Sequence, residues 1–321
     1  MMTHAESLRF WRQMEARLTN ADAQTIQRIY NRLAAADEET VKRVMAFINR
    51  WRSTSWDRIP QGAVDTMFQR IEAKLGDVNP LVESGIRNAA QTRIGLLGDF
   101  AANNGLRIGS FNVNPTWLRM RQSYTLRLVD RDTRFAADNI RAILQDGWIS
   151  GNQTPSEILM ACRSEIGMTR TLSETYREAL KQTRGMSNIA RNRFVKEAMR
   201  NQRSLAYKIE RIVRTENQRV ANEVYDDWQD DLNTKLEGGV AAEEFVPEPD
   251  ACPDCAALAG VYAVGEGPVP VDDTHPNCNC DRMPVIEGSE ETDAERRTFE
   301  RKAVNKTDLV GKRPSAIKRA A

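Results

Sequence analysis

One pattern constrains this chain more than any other stretch: C-x2-C, followed by H-x2-C-x-C. Cys252-Pro253-Asp254-Cys255 and His275-Pro276-Asn277-Cys278-Asn279-Cys280 contain four of the chain's five cysteines and one of its two histidines. Residues Ala256 to Thr274, rich in Gly, Pro and Val, lie between them. Soft thiolate and imidazole donors in paired short spacings are the ligands of tetrahedral zinc. The first cluster turns two sulfurs toward one ion, and the second offers three donors for the two remaining places. The pattern therefore predicts one structural zinc per chain, held by Cys252, Cys255 and two of His275, Cys278 and Cys280. Two disulfides would use the same cysteines but need an oxidising compartment. Met1 to Arg12 contains Glu6, Arg9 and Arg12 and no continuous apolar run, so it does not read as a secretory leader. A redox pair would not need the second cluster. A closed thiolate site leaves no position for a reactive water, which favours a structural over a catalytic ion.

A chain of 321 residues is long enough for two or three domains. No apolar run has the length of a membrane span, so no membrane partner is expected. The net charge of +1 does not select a partner, but the charge is unevenly placed. Lys181 to Arg219 carries a net +8 and Ala221 to Asp254 a net −10. These read as a solvated helix face followed by an acidic linker, with a DNA-facing surface as the alternative.

Most of the rest reads as helix. Ile26, Ile29, Tyr30 and Leu33 share a stripe after Asn20, and Asp37 is placed to cap a second helix with Val41, Val44, Met45 and Ile48 on one face. A helix over Gln61–Leu75 stops at Gly76, and another begins near Pro80 and carries Leu81, Ile86, Ala89, Ala90, Ile94 and Leu97. Asn103-Asn104-Gly105 is a turn, and Ile108 to Val113 a short strand or extended linker. A long helix runs from Pro115 to about Gln145 and ends at Gly147 to Asn152. Thr154-Pro155-Ser156-Glu157 is a capping box opening a helix in which Cys162 sits on the apolar side, as core filling. The last long helix extends from about Asn188 to Asn233. Phe245-Val246-Pro247, Leu258 to Tyr262 and Met283 to Ile286 supply three short strands around the cysteines.

Arg214-Thr215-Glu216 is the second stretch that stands out. Leu205, Ile209, Ile212, Val213, Val220 and Val224 form an apolar stripe, and Glu216 lies on it, four residues after Ile212 and four before Val220. A carboxylate on a buried face needs a partner or a raised pKa. The structural reading is a Glu paired with an Arg or with backbone amides. The functional reading is an acid or base, for which no companion motif is present.

Taken together, Arg214-Thr215-Glu216 in a long helix, C-x2-C with Leu258-x-Gly260 after it, and the closing His275-Pro276-x-Cys278-x-Cys280 resemble the phage Mu protein F-like head-morphogenesis family. Gly147 to Leu159, a Gly-containing turn before a capped helix, also fits. The resemblance covers residues 115–286, and the closing motif is its most specific part. Family members usually carry Arg between the last two cysteines. Here it is Asn279, which keeps the ligands and removes a positive charge beside them. The resemblance implies a minor head protein of a tailed phage or prophage, present in few copies at the portal vertex and acting in procapsid assembly, DNA packaging or DNA delivery. It implies portal protein as partner, with major capsid or scaffolding protein and packaged DNA as further ones, and a place in the virion after assembly in the host cytoplasm.

The expected architecture is mainly α: a helical N-terminal region (1–106), a long-helix part of the Mu F-like domain (107–240), a small α+β zinc-clasped module completing it (241–287), and a basic, partly disordered tail (288–321). The expected function is non-enzymatic. The alternatives are a metal nuclease of the His-Asn-His type, which needs more histidines than His4 and His275, and a transferase using Glu216.

Overall fold

From His4 to Trp51 the chain contains no glycine or proline, and the whole segment forms a single helix, α1 (His4–Trp51). The break expected at Asp37 does not occur. Ala34, Ala35 and Ala36 are strong helix formers that carry the backbone across it. Asp37 is instead buried inside the helix, where its carboxylate accepts from Arg163 Nε at 2.8 Å. The computed structural model describes residues 2–106, 113–167, 204–235, 239–249, 251–286 and 296–299. The chain is mostly helical, with a small three-stranded sheet. The expectations for residues 108–112 and 188–203, and for most of the 288–321 tail, lie outside the described residues.

Five further helices have clear sequence causes. Helix α2 (Gln61–Leu75) starts after Pro60 and stops at Gly76; α3 (Asn79–Asn103) has Pro80 in its first turn. Helix α4 (Pro115–Ser150) continues past Gly147. That glycine is required by close packing: a Cβ there would stand 2.7 Å from Ile158 of the next helix. Helix α5 (Pro155–Ile166) opens on the expected capping box. Thr154 Oγ1 accepts from the Glu157 amide at 3.3 Å, and Glu157 Oε2 accepts from the Thr154 amide at 2.7 Å. Helix α6 (Leu205–Lys235) carries the stripe on which Glu216 lies.

The described chain divides into two compact units, each built from separated segments of the sequence. One unit takes residues 25–82 and 125–212. Its core includes Leu33, Val44, Ile71, Ile140 and Leu144, with a cluster of Phe47, Trp56 and Trp148 whose rings lie about 6 Å apart. Cys162 of α5 belongs to this core, and burial pushes its thiol up to about 12, so it is an inert space-filling group. A polar depression of about 640 Å³ is lined by Arg32, Glu72, Asp77, Asp130 and Arg134 among others. Its carboxylates are largely engaged locally, Glu72 with Arg134 and Asp77 with Lys74.

The other unit takes residues 1–24, 83–124 and 213 onward and contains the sheet. Strand β1 (Val240–Val246) is central and antiparallel to both β2 (Gly260–Tyr262) and β3 (Asp281–Ile286), giving the order β2-β1-β3. The register sets Glu244 opposite Val261 on one side and Met283 on the other, with a bulge between Val240 and Ala242. Pro284, which has no N–H to give, sits in β3, an edge strand where that is tolerated. Trp11, Phe100, Tyr225 and Trp228 make tilted and edge-on ring contacts beside the sheet.

Charged groups run through this core. Arg93 of α3 is 0 % exposed and makes a bidentate pair with Asp281 of β3, at 2.6 and 2.8 Å. Its guanidinium also lies over Trp11 and Tyr225. Arg282, also buried, pairs with Asp226 at 2.7 Å and Glu243 at 3.5 Å, and its guanidinium too lies over the Tyr225 ring, at 4.8 Å. Glu15 is buried beside this set. Burial, followed by the charges of Asp281 and Glu248, pushes its carboxyl up to about 9, so it is neutral at pH 7. The stretch expected to be a solvated acidic linker is therefore partly interior: Asp226 and Glu243 are the counter-charges of a buried arginine.

Removing one partner of such a pair strands the other. Asp281→Ala should lower stability by about 3–5 kcal/mol in chemical denaturation, whereas Arg93→Met combined with Asp281→Leu should recover most of the loss. A single-variant loss below about 1 kcal/mol would show that Arg93 finds water or another partner.

Candidate metal centre

The first cysteine pair is placed by a single helical turn, α7 (Pro253–Ala256). Cys252 is its N-cap: the Sγ accepts from the Cys255 amide at 3.4 Å, and Pro253 fits the first position. This turn brings both sulfurs to one side. The second cluster is a tight turn in which the Cys278 amide donates to the His275 carbonyl at 3.1 Å. Asn277 takes the left-handed conformation at its centre, with φ 63°, which asparagine tolerates. His275 Nδ1–H donates to the Pro276 carbonyl at 3.0 Å, leaving the Nε2 lone pair for the cysteines.

All five candidate donors converge. His275 Nε2 stands 3.3 Å from the sulfurs of both Cys252 and Cys255, and Cys255 Sγ lies 3.8 Å from Cys278 Sγ. Cys252, Cys255 and His275 form one mutually close group, and Cys255, Cys278 and Cys280 another, with ligand atoms within 4.8 Å. Cys255 is common to both, so the cluster can hold a metal ion. All of these cysteines are free thiols. Phe245, Tyr262 and Val271 pack around them, keeping the sulfurs other than Cys252 out of water.

The electrostatics of the ligand set are those of a shared thiolate. Hydrogen bonds with Cys255 and Cys280 draw the Cys278 thiol far down. The Cys255 thiol is pushed up, first by its hydrogen bonds to Cys278 and Cys280 and then by burial. For Cys252, burial opposes ionisation, but hydrogen bonds to Cys255 and His275 outweigh it and lower the thiol. Burial also opposes protonation of His275, yet the Pro276 carbonyl and the neighbouring sulfurs raise its pKa. Several protons must therefore leave when a metal enters.

Arg214-Thr215-Glu216 meets this cluster directly. Thr215 Oγ1 accepts from the Asn277 amide at 3.4 Å, inside the His-Pro-x-Cys-x-Cys turn. One turn on, Gln218 Nε2 donates to the Cys280 carbonyl at 3.2 Å, and Asn222 Nδ2 to the Pro270 carbonyl at 2.8 Å. Glu216 is 1 % exposed and accepts from Arg219 Nη1 at 2.5 Å, with Arg121 Nη1 at 3.5 Å. Arg219 also pairs with Asp272, before the second cluster, at 2.9 Å. Burial works against the Arg219 charge, but Glu216 and Asp272 outweigh it. Sequence reasoning singled out Glu216 but missed its partners. Arg219 was within reach, three residues along the same helix; Arg121 had no local signal. Arg93 was missed although it carries the same signature as Glu216: it falls four residues after Ala89 and four before Leu97, on the stripe of α3.

Two outcomes follow. Metal affinity, measured by competition with a chromophoric chelator, should rise steeply between about pH 6 and pH 8, because the ion displaces protons from thiols and from His275. A pH-independent affinity would mean that the sulfurs do not ligate. Glu216→Gln should lower the unfolding midpoint by an amount equivalent to about 1–3 kcal/mol, since the buried Arg121 and the half-buried Arg219 lose a shared counter-charge. An unchanged midpoint would show that Arg219 and Arg121 do not depend on it.

Comparison of the chain with protein-family models, with curated proteins and with solved structures gave no match.

Proposed function

We propose that this chain is a non-enzymatic minor head component of a tailed phage or prophage, in which one structural zinc ion clasps the C-terminal module. The observation that carries the reading is the hydrogen bond between Thr215 and Asn277. The two stretches whose combination resembles the Mu protein F-like family are far apart in sequence, yet they form one unit of structure. Arg214-Thr215-Glu216 then acts as the seat of the metal-binding turn, and its carboxylate is spent on arginines.

Zinc is supported by donor chemistry and spacing. Zn–S bonds of about 2.3 Å at the tetrahedral angle set sulfurs about 3.8 Å apart, and imidazole slightly closer. Cys255 and Cys278 stand at 3.8 Å, and His275 at 3.3 Å from two sulfurs. Four of the five donors complete a closed shell, which supplies folding energy and offers no open position for substrate. The nuclease alternative has less support, because His4 is paired with Glu244 at 2.9 Å and His275 belongs to the cluster. The transferase alternative would need Glu216 to reach a substrate from between two arginines.

Among the described residues no helix is long and apolar enough to cross a membrane. The partner in this proposal is the portal protein, joined during assembly in the host cytoplasm and retained in the virion. Contacts to packaged DNA through basic segments would be phosphate contacts, weak and steeply salt-dependent.

The test is co-purification from cells making this chain together with the portal protein of the same phage or prophage, with elemental analysis of the recovered material. The expected result is a stable complex holding about one zinc per copy of this chain. Absence of association, together with metal-dependent cleavage of plasmid DNA or transferase turnover by the free chain, would overturn the proposal.

A further inference from the structure

Among the described residues the outer edge of β2 pairs with no strand of the sheet, and a short piece of the chain from beyond the sheet lies on it. The Arg297 amide donates to the Val261 carbonyl at 2.7 Å, as an added strand would. The Arg297 guanidinium donates to the Ala259 carbonyl and lies over the Tyr262 ring at 5.9 Å. Phe299 packs against the group formed by Phe245, Cys255, Tyr262, Val271, Cys278 and Cys280. The edge is shaped for this segment. Gly260 has φ 149°, and a Cβ there would stand 2.4 Å from Cδ of Arg297. Tyr262 is held in place by its own hydroxyl, which donates to the Leu258 carbonyl at 2.7 Å.

We infer that residues 296–299 are a strap that the chain lays over its own metal centre, and that the edge of β2 is a docking groove for an extended Arg-x-aromatic segment. Backbone pairing sets its register, Gly260 admits the arginine, and Phe299 closes the apolar side of the sulfur cluster. Occupying the edge in cis also removes an unpaired strand from solution. The strap shields Cys255, Cys278 and Cys280 from thiol reagents whether or not a metal is bound. Only its effect on metal retention rests on the zinc reading above.

The experiment compares the full chain with Arg297→Ala/Phe299→Ala, Gly260→Val and Phe299→Leu variants. Reduced, metal-free protein is treated with an aromatic disulfide reagent, and zinc-loaded protein with a chelator in excess; circular dichroism establishes that each variant is folded. The double variant and Gly260→Val should label about tenfold faster and lose zinc correspondingly faster, while Phe299→Leu stays near the parent chain. Adding a peptide with the sequence of residues 294–301 in trans should restore slow labelling to the double variant. Labelling of the folded double variant within about twofold of the parent would overturn the strap. A dimer in the parent chain that dissociates in the double variant would seat the segment on a second copy and overturn the cis assignment. If the parent chain takes up no zinc, the metal reading fails while the labelling result still decides the strap.

Discussion

At the buried Arg93, Asp281 takes both Nη groups in one planar contact, and the guanidinium lies over the rings of Trp11 and Tyr225. Desolvating an ion costs several kcal/mol, and only tight geometry offsets it. Asp281 directly follows Cys280, so the pair fixes the residue next to the last candidate ligand against a helix from the first third of the chain. Arg282 repeats the arrangement one residue later with Asp226 and Glu243. The sheet and the last cysteine turn are thus tied to the helices of their unit by directional ionic contacts, and the Tyr225 ring meets both guanidiniums.

How much of this was legible depended on whether the cause was local. The capping box of α5 and the cysteine knuckle are both made by residues three apart, and both were readable. Glu216 was readable as buried because helical periodicity puts it on a stripe. Asp37 was misread as a cap: the capping residue type was present, but three alanines before it sustain the helix, and its partner Arg163 is 126 residues away. The strand pair Asp281-Arg282 was invisible, since two adjacent charges in a strand normally read as turn or surface. Composition alone made Ala221 to Asp254 look like a solvated acidic linker, because net charge does not reveal that Asp226 and Glu243 face a buried arginine.

The cluster offers five donors, one more than a tetrahedral ion takes. The anchoring differs between them. Cys280 is held through its own carbonyl by Gln218 and through its neighbour by Arg93, whereas Cys252 is the most exposed sulfur, placed by the turn it caps and by its contact with His275. His275 is bound through Nδ1 to the carbonyl of the next residue, an arrangement that presets the tautomer a metal requires. Val271, with φ 71°, is a β-branched residue in a conformation that costs about 1–3 kcal/mol, held by Thr274 and by Asn222 on the adjacent carbonyl. The loop between the two clusters is therefore kept in shape by α6 and its own hydrogen bonds.

The span of the Arg93–Asp281 pair bears on the order of events during synthesis. These residues are 188 positions apart. At about 5–20 residues per second, Arg93 has left the ribosome roughly 10–40 s before its carboxylate is made. During that interval the inward faces of α1 and α3, with Trp11, Phe100 and an unpaired guanidinium, have no sheet or α6 to pack against. The unit of residues 1–24, 83–124 and 213 onward closes only when translation has passed β3, whereas most of the other unit's segments emerge earlier. Nascent chains should therefore pass through a stage in which one unit is folded and the other presents exposed aromatic surface, a natural substrate for ribosome-associated chaperones.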